Sequence, residues 1–526
     1  MHGDSVPVIF GLKVRQFREA RKLGLKAAAL KAGLSPSYLN EIEKGKKYPK
    51  ADKIVQLANA LGVSYDNLVS LKLDRDLNPL APLLDSPAIR DLPLQLFGIS
   101  KHDVFDLLTR APHEAGALVR TLLEIARTYD VHVEHFLYAM LRSYQESHEN
   151  YFEDIETAAG RFRANQGWPI DQTLSYDLLR PLVENEYGMA VSESEIERYP
   201  DLHAYRSIWA QGPPPRIFIN PHLTPSQKAF QLAREIGYRE QGLKERGITS
   251  SRPAADSFQQ VLNDFKASYF AGAAMMPRER IVPDLHAFFA RETWNPDAFV
   301  GLMRRYEVTP EMFLYRLTQV IPRHFHIAEL HFLRFSNVPG SGVYRLTKHF
   351  NMSQVPIPAG IGLNEHYCRR WLSVEVLQEL EKHGGQGDAA HPVVGVQRSM
   401  FLDRGTEFFC IALARPLALT AGTNTSVTLG FRMTDRFRRS VRFAEDPAIP
   451  RRQLNETCER CGLEPGQCFE RAAPPVGFSN SRRPSAARCS SRRCWPSSTP
   501  NPARRIDGEE RTSPRCRLTA ALRRGF

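Results

Sequence analysis

Residues 25–49 read LKAAALKAGLSPSYLNEIEKGKKYP, and their spacing decides how the amino-terminal part of the chain folds. A helix-turn-helix needs a small residue where its two helices cross, a glycine in the turn and apolar anchors under the second helix. Counted from Leu25, Ala29 falls fifth, Gly33 ninth, Leu39 fifteenth and Ile42 eighteenth, and each suits its place. Ser35 reads as an N-cap and Pro36 as the first helical residue, where a missing N–H costs nothing. This leaves Ser35, Pro36, Ser37, Asn40, Glu41 and Lys44 on the outer face, with Lys46 and Lys47 just beyond. Asn40 suits an adenine edge and the serines suit bases or phosphates. The three lysines suit phosphates. The competing reading is a small basic bundle that binds nothing.

Working outward, Gly11–Leu23 with Leu12, Phe17 and Ala20 predicts a first helix. Ile54, Leu57, Ala58 and Leu61 recur at helical spacing before Gly62, and Ser64–Leu71 makes a short fifth helix. Charge supports the placement. Residues 1–72 carry a net +7 and residues 476–526 a net +9, so the long middle is left at −4 and the basic character sits at the ends. With 526 residues, 42% hydrophobic and 24% charged, the chain is globular and multidomain, which excludes collagen-like or wholly disordered classes. The longest apolar run, Ala267–Met276, is too short to span a bilayer, and no signal peptide opens the chain, so a cytoplasmic protein without membrane contact is expected.

The segment Ser35–Pro49 closely resembles the lambda-repressor-like (Cro/CI, XRE) family of DNA-binding domains. That resemblance implies a double-stranded DNA operator and, because such units read paired half-sites, a homodimer. One departure is Leu25, where the family often places a glutamine that contacts phosphate.

Residues 76–165 keep helical periodicity, with Leu118, Leu122, Leu123 and Ile125 on one stripe and Phe136, Met140, Leu141 and Tyr144 on another. Beyond them, Met189–Val191 and Ile217–Ile219 read as short strands, then Pro225–Tyr238 and Phe258–Met276 as helices. The first of these helices carries Arg234, Glu235 and Tyr238, and in its apolar setting it resembles the ImmA/IrrE-type peptidases. Their helix bears H-E-x-x-H, two zinc ligands and a general base. Asp264 stands where the later acidic ligand of that family is expected. Here Arg234 and Tyr238 replace both histidines, and arginine has no lone pair to give a metal. Glu235 is therefore expected to pair with a cation, and the frame to persist as a scaffold or ligand pocket without catalysis. The rival reading is a site-specific metalloprotease of the antirepressor-cleaving type.

After Ile327, His331–Phe335, Val343–Lys348, Phe408–Ala414 and Ser426–Arg432 read as strands, and strand alternation is expected to separate His324, His326 and His331. The phrases His331–Phe335, Cys368–Trp371 and Cys458–Pro475 resemble the short-chain fatty acyl transcriptional regulators, a likeness covering roughly residues 9–475. It implies control of acetate, propionate or glyoxylate-cycle genes and an acyl-CoA-type effector. Cys458, Cys461 and Cys468, with Cys368, allow three readings: a structural zinc, a redox-sensitive thiol pair, or buried thiols serving as small hydrophobes. Arg369, Arg370 and Arg471 are candidate receivers of a carboxylate or phosphate. The last 51 residues hold twelve arginines and too few apolar residues to bury a core. They read as a disordered basic tail or as a stretch without an evolved role, such as a shifted frame.

The expected whole is an α+β multidomain chain that is not an enzyme. It comprises an all-α helix-turn-helix domain (9–72), a helical connector (76–165), a degenerate metallopeptidase-like α+β domain (168–320), a β-containing effector region with the cysteines (321–475) and the tail (476–526).

Overall fold

The computed structural model describes residues 6–70, 133–249, 257–355, 357, 361–362, 365–383 and 392–472. The amino-terminal bundle consists of α1 (Val6–Ala20), α2 (Leu25–Lys31), α3 (Pro36–Glu43), α4 (Ala51–Leu61) and α5 (Tyr65–Val69). Ser35 Oγ accepts the Tyr38 N–H at 3.1 Å, so α3 starts where the cap and Pro36 dictate. The turn between α2 and α3 needs Gly33, whose φ is +64°. Phe10, Val14, Ala29, Leu39, Ile42, Leu57 and Leu68 form the core of the bundle. Burying Leu39 or Ile42 contributes on the order of 1.5–3 kcal/mol each. The first helix begins and ends earlier than the expected Gly11–Leu23. Buried Ile9 and Phe10 extend its apolar stripe upstream, and the chain leaves helical geometry at Lys22, with φ +54°. Arg18 grips Glu43 through Nε at 2.6 Å and Nη2 at 2.9 Å, fastening α1 to the end of α3.

Most of the expected connector, including Leu118, Leu122, Leu123 and Ile125, lies outside the described residues. Its last part forms α6 (Val133–Ser147) and α7 (Glu153–Asn165). Met140, Leu141 and Tyr144 are buried there, whereas Phe136, expected on the same stripe, is 38% exposed. Next come α8 (Tyr176–Asn185), β1 (Ala190–Ser192), α9 (Ser194–Glu197), β2 (Ser207–Ala210) and β3 (Arg216–Ile219). These strands make a small sheet of order β1-β3-β2, with β1 parallel and β2 antiparallel to β3. A capping box of Thr224 and Gln227 starts α10 (Pro225–Glu240), which packs on α11 (Phe258–Met275). The two helices approach so closely that a Cβ at Gly237 would lie 3.0 Å from the Ala267 carbonyl. Three further helices follow: α12 (Arg278–Phe289), α13 (Pro296–Arg304) and α14 (Pro310–Phe325).

The carboxyl-terminal region is built on β4 (Leu330–Asn337), β5 (Tyr344–Asn351), β6 (Val393–Phe401), β7 (Glu407–Pro416), β8 (Asn424–Arg432) and β9 (Arg451–Leu454). Helices α15 (Leu372–Lys382) and α16 (Asp435–Ser440) lie among them in sequence. The sheet order is β5-β4-β8-β7-β6-β9, antiparallel except for the parallel pair β6 and β9. Period-two alternation sends neighbouring side chains to opposite faces. Phe332, Phe409, Ile411 and Leu429 therefore join one core, while Leu333, Phe335, Phe408 and Ala412 join a second one with Trp371 and Leu377 of the α15 side.

The first of these cores runs from Leu137 of α6 through Ile236, Phe270 and Leu317 to Leu429 and Ile449. The expected lines at 165/168 and 320/321 thus divide the sequence without dividing the packing, because α6, α7 and one face of the large sheet all close on the same apolar interior. His324 and His326 also fall elsewhere than expected. They lie at the end of α14, with His326 in left-handed conformation (φ +57°), and only His331 is in a strand. Among the described residues no helix is long and apolar enough to cross a membrane.

Candidate DNA-binding surface and effector cleft

On α3 the buried anchors Leu39 and Ile42 face inward. Ser35, Pro36 and Ser37 are exposed, Asn40, Glu41 and Lys44 half-buried, and Lys46 and Lys47 exposed in the turn that follows. The eight residues singled out from sequence thus come together along one helix and its exit. The backbone N–H groups of Lys46 and Lys47 donate to the Glu41 carbonyl at 2.9 and 3.3 Å, which folds this basic turn back onto the helix end. Lys47 Nζ lies 2.9 Å from Glu41 Oε2 and 5.7 Å from the centroid of the Tyr38 ring. The hydrogen bond and charge of Glu41 raise the pKa of Lys47 above its ordinary value. A helix polar on its outer face, with two lysines held at its exit, has the chemistry to meet base edges and phosphates together.

The peptidase-like positions have closed on themselves. Arg234 of α10 and Asp264 of α11 form an ion pair, and the Tyr238 hydroxyl donates to the same Asp264 oxygen. Burial works against the charge on Arg234, but Asp264, Tyr238 and Glu235 outweigh it and hold its pKa above the usual arginine value. Glu235, the would-be general base, is gripped by Arg246 through two contacts of 2.6 Å. The Arg246 guanidinium in turn stacks over Tyr238 at 4.2 Å and Trp209 at 4.5 Å. Both carboxylates are thus spent on guanidinium groups, as the arginine and tyrosine replacements imply. Among the described residues no three histidine, cysteine, aspartate or glutamate side chains are grouped to hold a metal ion.

Cys368, Cys458, Cys461 and Cys468 are buried and unbridged. Burial pushes the Cys368 thiol up to about 11, with Cys458 and Cys461 near enough to add to the rise, and Cys461 acts likewise on Cys468. Cys458 Sγ accepts the Ala472 N–H at 3.4 Å. The arginines nearby are committed inside the fold and do not stand free for a ligand. Arg369 donates to the Gly342 carbonyl at 2.6 Å and stacks on Tyr344 at 4.6 Å. Arg370 reaches Glu470 at 3.1 Å and the Gln467 carbonyl at 2.6 Å, and Arg471 donates to the Leu463 carbonyl. Loop carbonyls left without strand partners account for this use of cations.

A cleft of about 190 Å³ opens beside the Arg234–Asp264 pair, between α10, α11 and the large sheet. Arg206, Glu311, Lys348 and Arg415 line it, and Arg334 lines the contiguous space. Glu311, at the start of α14, meets Arg334 Nη1 with both oxygens, at 3.2 and 3.0 Å, and Lys348 Nζ at 3.5 Å. Burial alone would raise the Glu311 pKa, but Arg334, Lys348 and Arg206 overcome it and hold the carboxyl well below the usual range. Arg415 is only 6% exposed, and burial lowers its pKa with Arg206 and Arg334 adding repulsion. These cations come from residues 206, 334, 348 and 415, too far apart in sequence for spacing to reveal, and none was foreseen. Arg334, Lys348 and Arg415 lie within or beside strand-like runs, whereas nothing in the sequence marks Arg206, which precedes β2.

A family model described as helix-turn-helix matches residues 14–68, and one described as IrrE N-terminal-like domain matches residues 186–318. The chain therefore joins a helix-turn-helix domain to an IrrE-like domain and a β-rich carboxyl-terminal region. It is 25% identical over 328 residues to the HTH-type transcriptional regulator RamB of Mycobacterium tuberculosis, covering 59% of this chain and 64% of that one. It is 23% identical over 286 residues to the propionyl-CoA carboxylase regulator of Cereibacter sphaeroides, covering 51% and 57% of the two chains. The match to each thus spans less than two thirds of the relative's own length. A third likeness, 40% over 62 residues, is to an uncharacterized HTH-type transcriptional regulator, RghRB, of Bacillus subtilis, covering 12% and 45%.

Proposed function

We propose that this chain is a sequence-specific transcriptional regulator of short-chain acyl or acetate metabolism that works as a homodimer on a DNA operator and has no peptidase activity. The observation that carries the reading is α3 with its exit turn, where Ser37 and Asn40 lie outside the buried anchors Leu39 and Ile42 and the exposed Lys46 and Lys47 follow the helix end. The names of the two long relatives support a regulator, that of the propionyl-CoA carboxylase regulator supports the metabolic assignment, and the closed Arg234–Asp264 pair supports a frame used for binding instead of hydrolysis. In this reading an acyl-CoA-type metabolite enters the cleft and favours one dimer geometry, changing half-site spacing and hence operator affinity. The ligand must bind the two geometries unequally, or it shifts nothing.

Fluorescence anisotropy on the DNA upstream of the chain's own gene, with and without acetyl-CoA and propionyl-CoA, tests both halves. Specific binding is expected to exceed non-specific binding by roughly 10³-fold or more. Tight DNA binding that neither thioester moves removes the sensing half, and binding no better than to random DNA at several upstream fragments removes the regulator. A structural zinc on Cys368, Cys458, Cys461 and Cys468 is a separate proposal, and against it stands the absence, among the described residues, of any three such side chains grouped to hold a metal ion. It is tested by metal analysis of the purified chain. Zinc lost in Cys458→Ser supports it, and metal-free protein ends it.

A further inference from the structure

The charges around the cleft do not balance. Arg206 precedes β2, and Arg334, Lys348 and Arg415 come from β4, β5 and β7, so that four cations converge where Glu311 is the nearby carboxylate. Asp264, on the same wall, is already engaged by Arg234 and Tyr238. Arg415 is 6% exposed, and the charge of Glu311 only partly offsets its burial and the repulsion of Arg206 and Arg334. A cation withdrawn from water as Arg415 is costs stability unless opposite charge meets it, and Glu311, whose charge reaches it, is already bonded to Arg334.

We propose that this cleft contains a phosphate-binding site and that Glu311 is its internal occupant, a tethered carboxylate that the phosphate of an incoming ligand displaces from Arg334 and Lys348. Arg334 meets both Glu311 oxygens through Nη1 alone, with its Nε held by Thr347 Oγ1 at 2.9 Å, so a phosphate with more acceptor oxygens has donors at Arg334 that the carboxylate leaves unused. A ligand with one carboxylate only exchanges like for like against a competitor held at high effective concentration. A doubly charged phosphate or diphosphate brings more charge and more acceptor oxygens, and so can also engage Arg206 and Arg415. Displacement frees the first turn of α14, since Glu311 lies two residues past the Thr309 cap. The same helix carries Arg316, which is bonded to Glu156 of α7, so the displaced carboxylate sits on an element already fastened to the region leading toward the DNA-binding domain. This inference rests on the proposal that the cleft receives an effector.

Calorimetric titration of the full chain with pyrophosphate, at fixed ionic strength, tests it in wild type, Glu311→Gln and Arg415→Gln. Removal of the competitor has the unusual sign of a gain, with Glu311→Gln expected to bind pyrophosphate about tenfold tighter or better. Arg415→Gln is expected to weaken binding by about tenfold or more. Equal or weaker binding by folded Glu311→Gln overturns the proposal, and so does propionate binding as tightly as pyrophosphate. If circular dichroism shows that Glu311→Gln does not fold, Glu311→Asp serves, with a smaller gain expected and no gain counting against the idea. Parallel titrations with propionyl-CoA separate the two levels. The predicted pyrophosphate pattern without thioester binding leaves the phosphate site standing and removes the acyl effector. Thioester binding unchanged in Glu311→Gln does the reverse.

Discussion

Arg316 and Glu156 form a two-point ion pair in the interior, Nη1 to Oε1 at 2.6 Å and Nη2 to Oε2 at 2.8 Å, with side chains 0% and 2% exposed. The Tyr269 hydroxyl donates to Glu156 Oε1 at 2.7 Å, and Arg316 Nε donates to the Met276 carbonyl at 3.1 Å, so α7, α11 and α14 meet at one charged knot inside the apolar core.

Breaking one side of that knot leaves the other charge buried and unpaired. Glu156→Gln is therefore expected to destabilise the full chain by about 3–5 kcal/mol. Glu156→Met with Arg316→Met should recover much of that loss. Urea denaturation measures both, and a single-variant loss below about 1 kcal/mol would contradict the assigned burial.

The pH dependence of the same pair has a definite sign. Burial pushes Glu156 up, but Arg316 and Tyr269 outweigh it and leave the folded pKa below the unfolded value of about 4.3. Its contribution is thus fully present above that value and is lost as pH falls through the folded pKa. His331 adds a second acid-sensitive element, because burial lowers its pKa to about 4 against about 6.5 unfolded. Stability should decline from pH 6.5 toward pH 4 by roughly 2–3 kcal/mol on its account, and His331→Leu should flatten that part of the profile.

At the DNA surface two kinds of substitution should separate. Asn40→Ala is expected to cost about 1–3 kcal/mol on the operator and relax preference at one base position. Lys46→Ala and Lys47→Ala should weaken operator and random DNA alike, each lowering the magnitude of the salt slope by about 1. Anisotropy titrations across salt on operator and scrambled duplexes distinguish these patterns, and a uniform loss for Asn40→Ala would remove its base-reading role.

The helix-turn-helix was legible because it is local. Ser35, Pro36, Gly33 and the anchors Leu39 and Ile42 act within a few residues of one another, and the structure places each as spacing predicts. The closure of the peptidase-like positions was legible for a similar reason, since an arginine in a ligand's place cannot ligate. Three strands escaped notice. The first, β2, is four residues long, β9 is rich in arginine, and Gly395 interrupts the apolar run of β6, where α15 packs so closely that a Cβ would meet Val376 at 2.7 Å. The cleft cations were illegible because the register of the six-stranded sheet and its packing against α14 bring them together. Arg369, Arg370 and Arg471 misled because a cation near a loop looks the same in sequence whether it waits for a ligand or caps a carbonyl.

Restoring the two lost imidazoles gives a direct test of the inherited frame. With Arg234→His and Tyr238→His together, the histidines would stand one turn apart on α10 beside Asp264, which frees the donors a metal needs. The double variant is expected to bind one more equivalent of cobalt(II) than wild type, seen as visible absorption, and no gain would count against the structural kinship of the site. Asp264→Asn in the wild-type background should instead cost roughly 2–4 kcal/mol by stranding the Arg234 charge.

The Arg234–Asp264 pair also changes what the protein must obtain from its surroundings. In a peptidase of this shape the clasp between α10 and α11 would be completed by an ion drawn from the cell, and it would compete for that ion with every other metalloprotein. Here both halves of the clasp are encoded in the chain. This part of the fold is thus closed by side chains of its own, and the contact between α10 and α11 calls on no ion from outside.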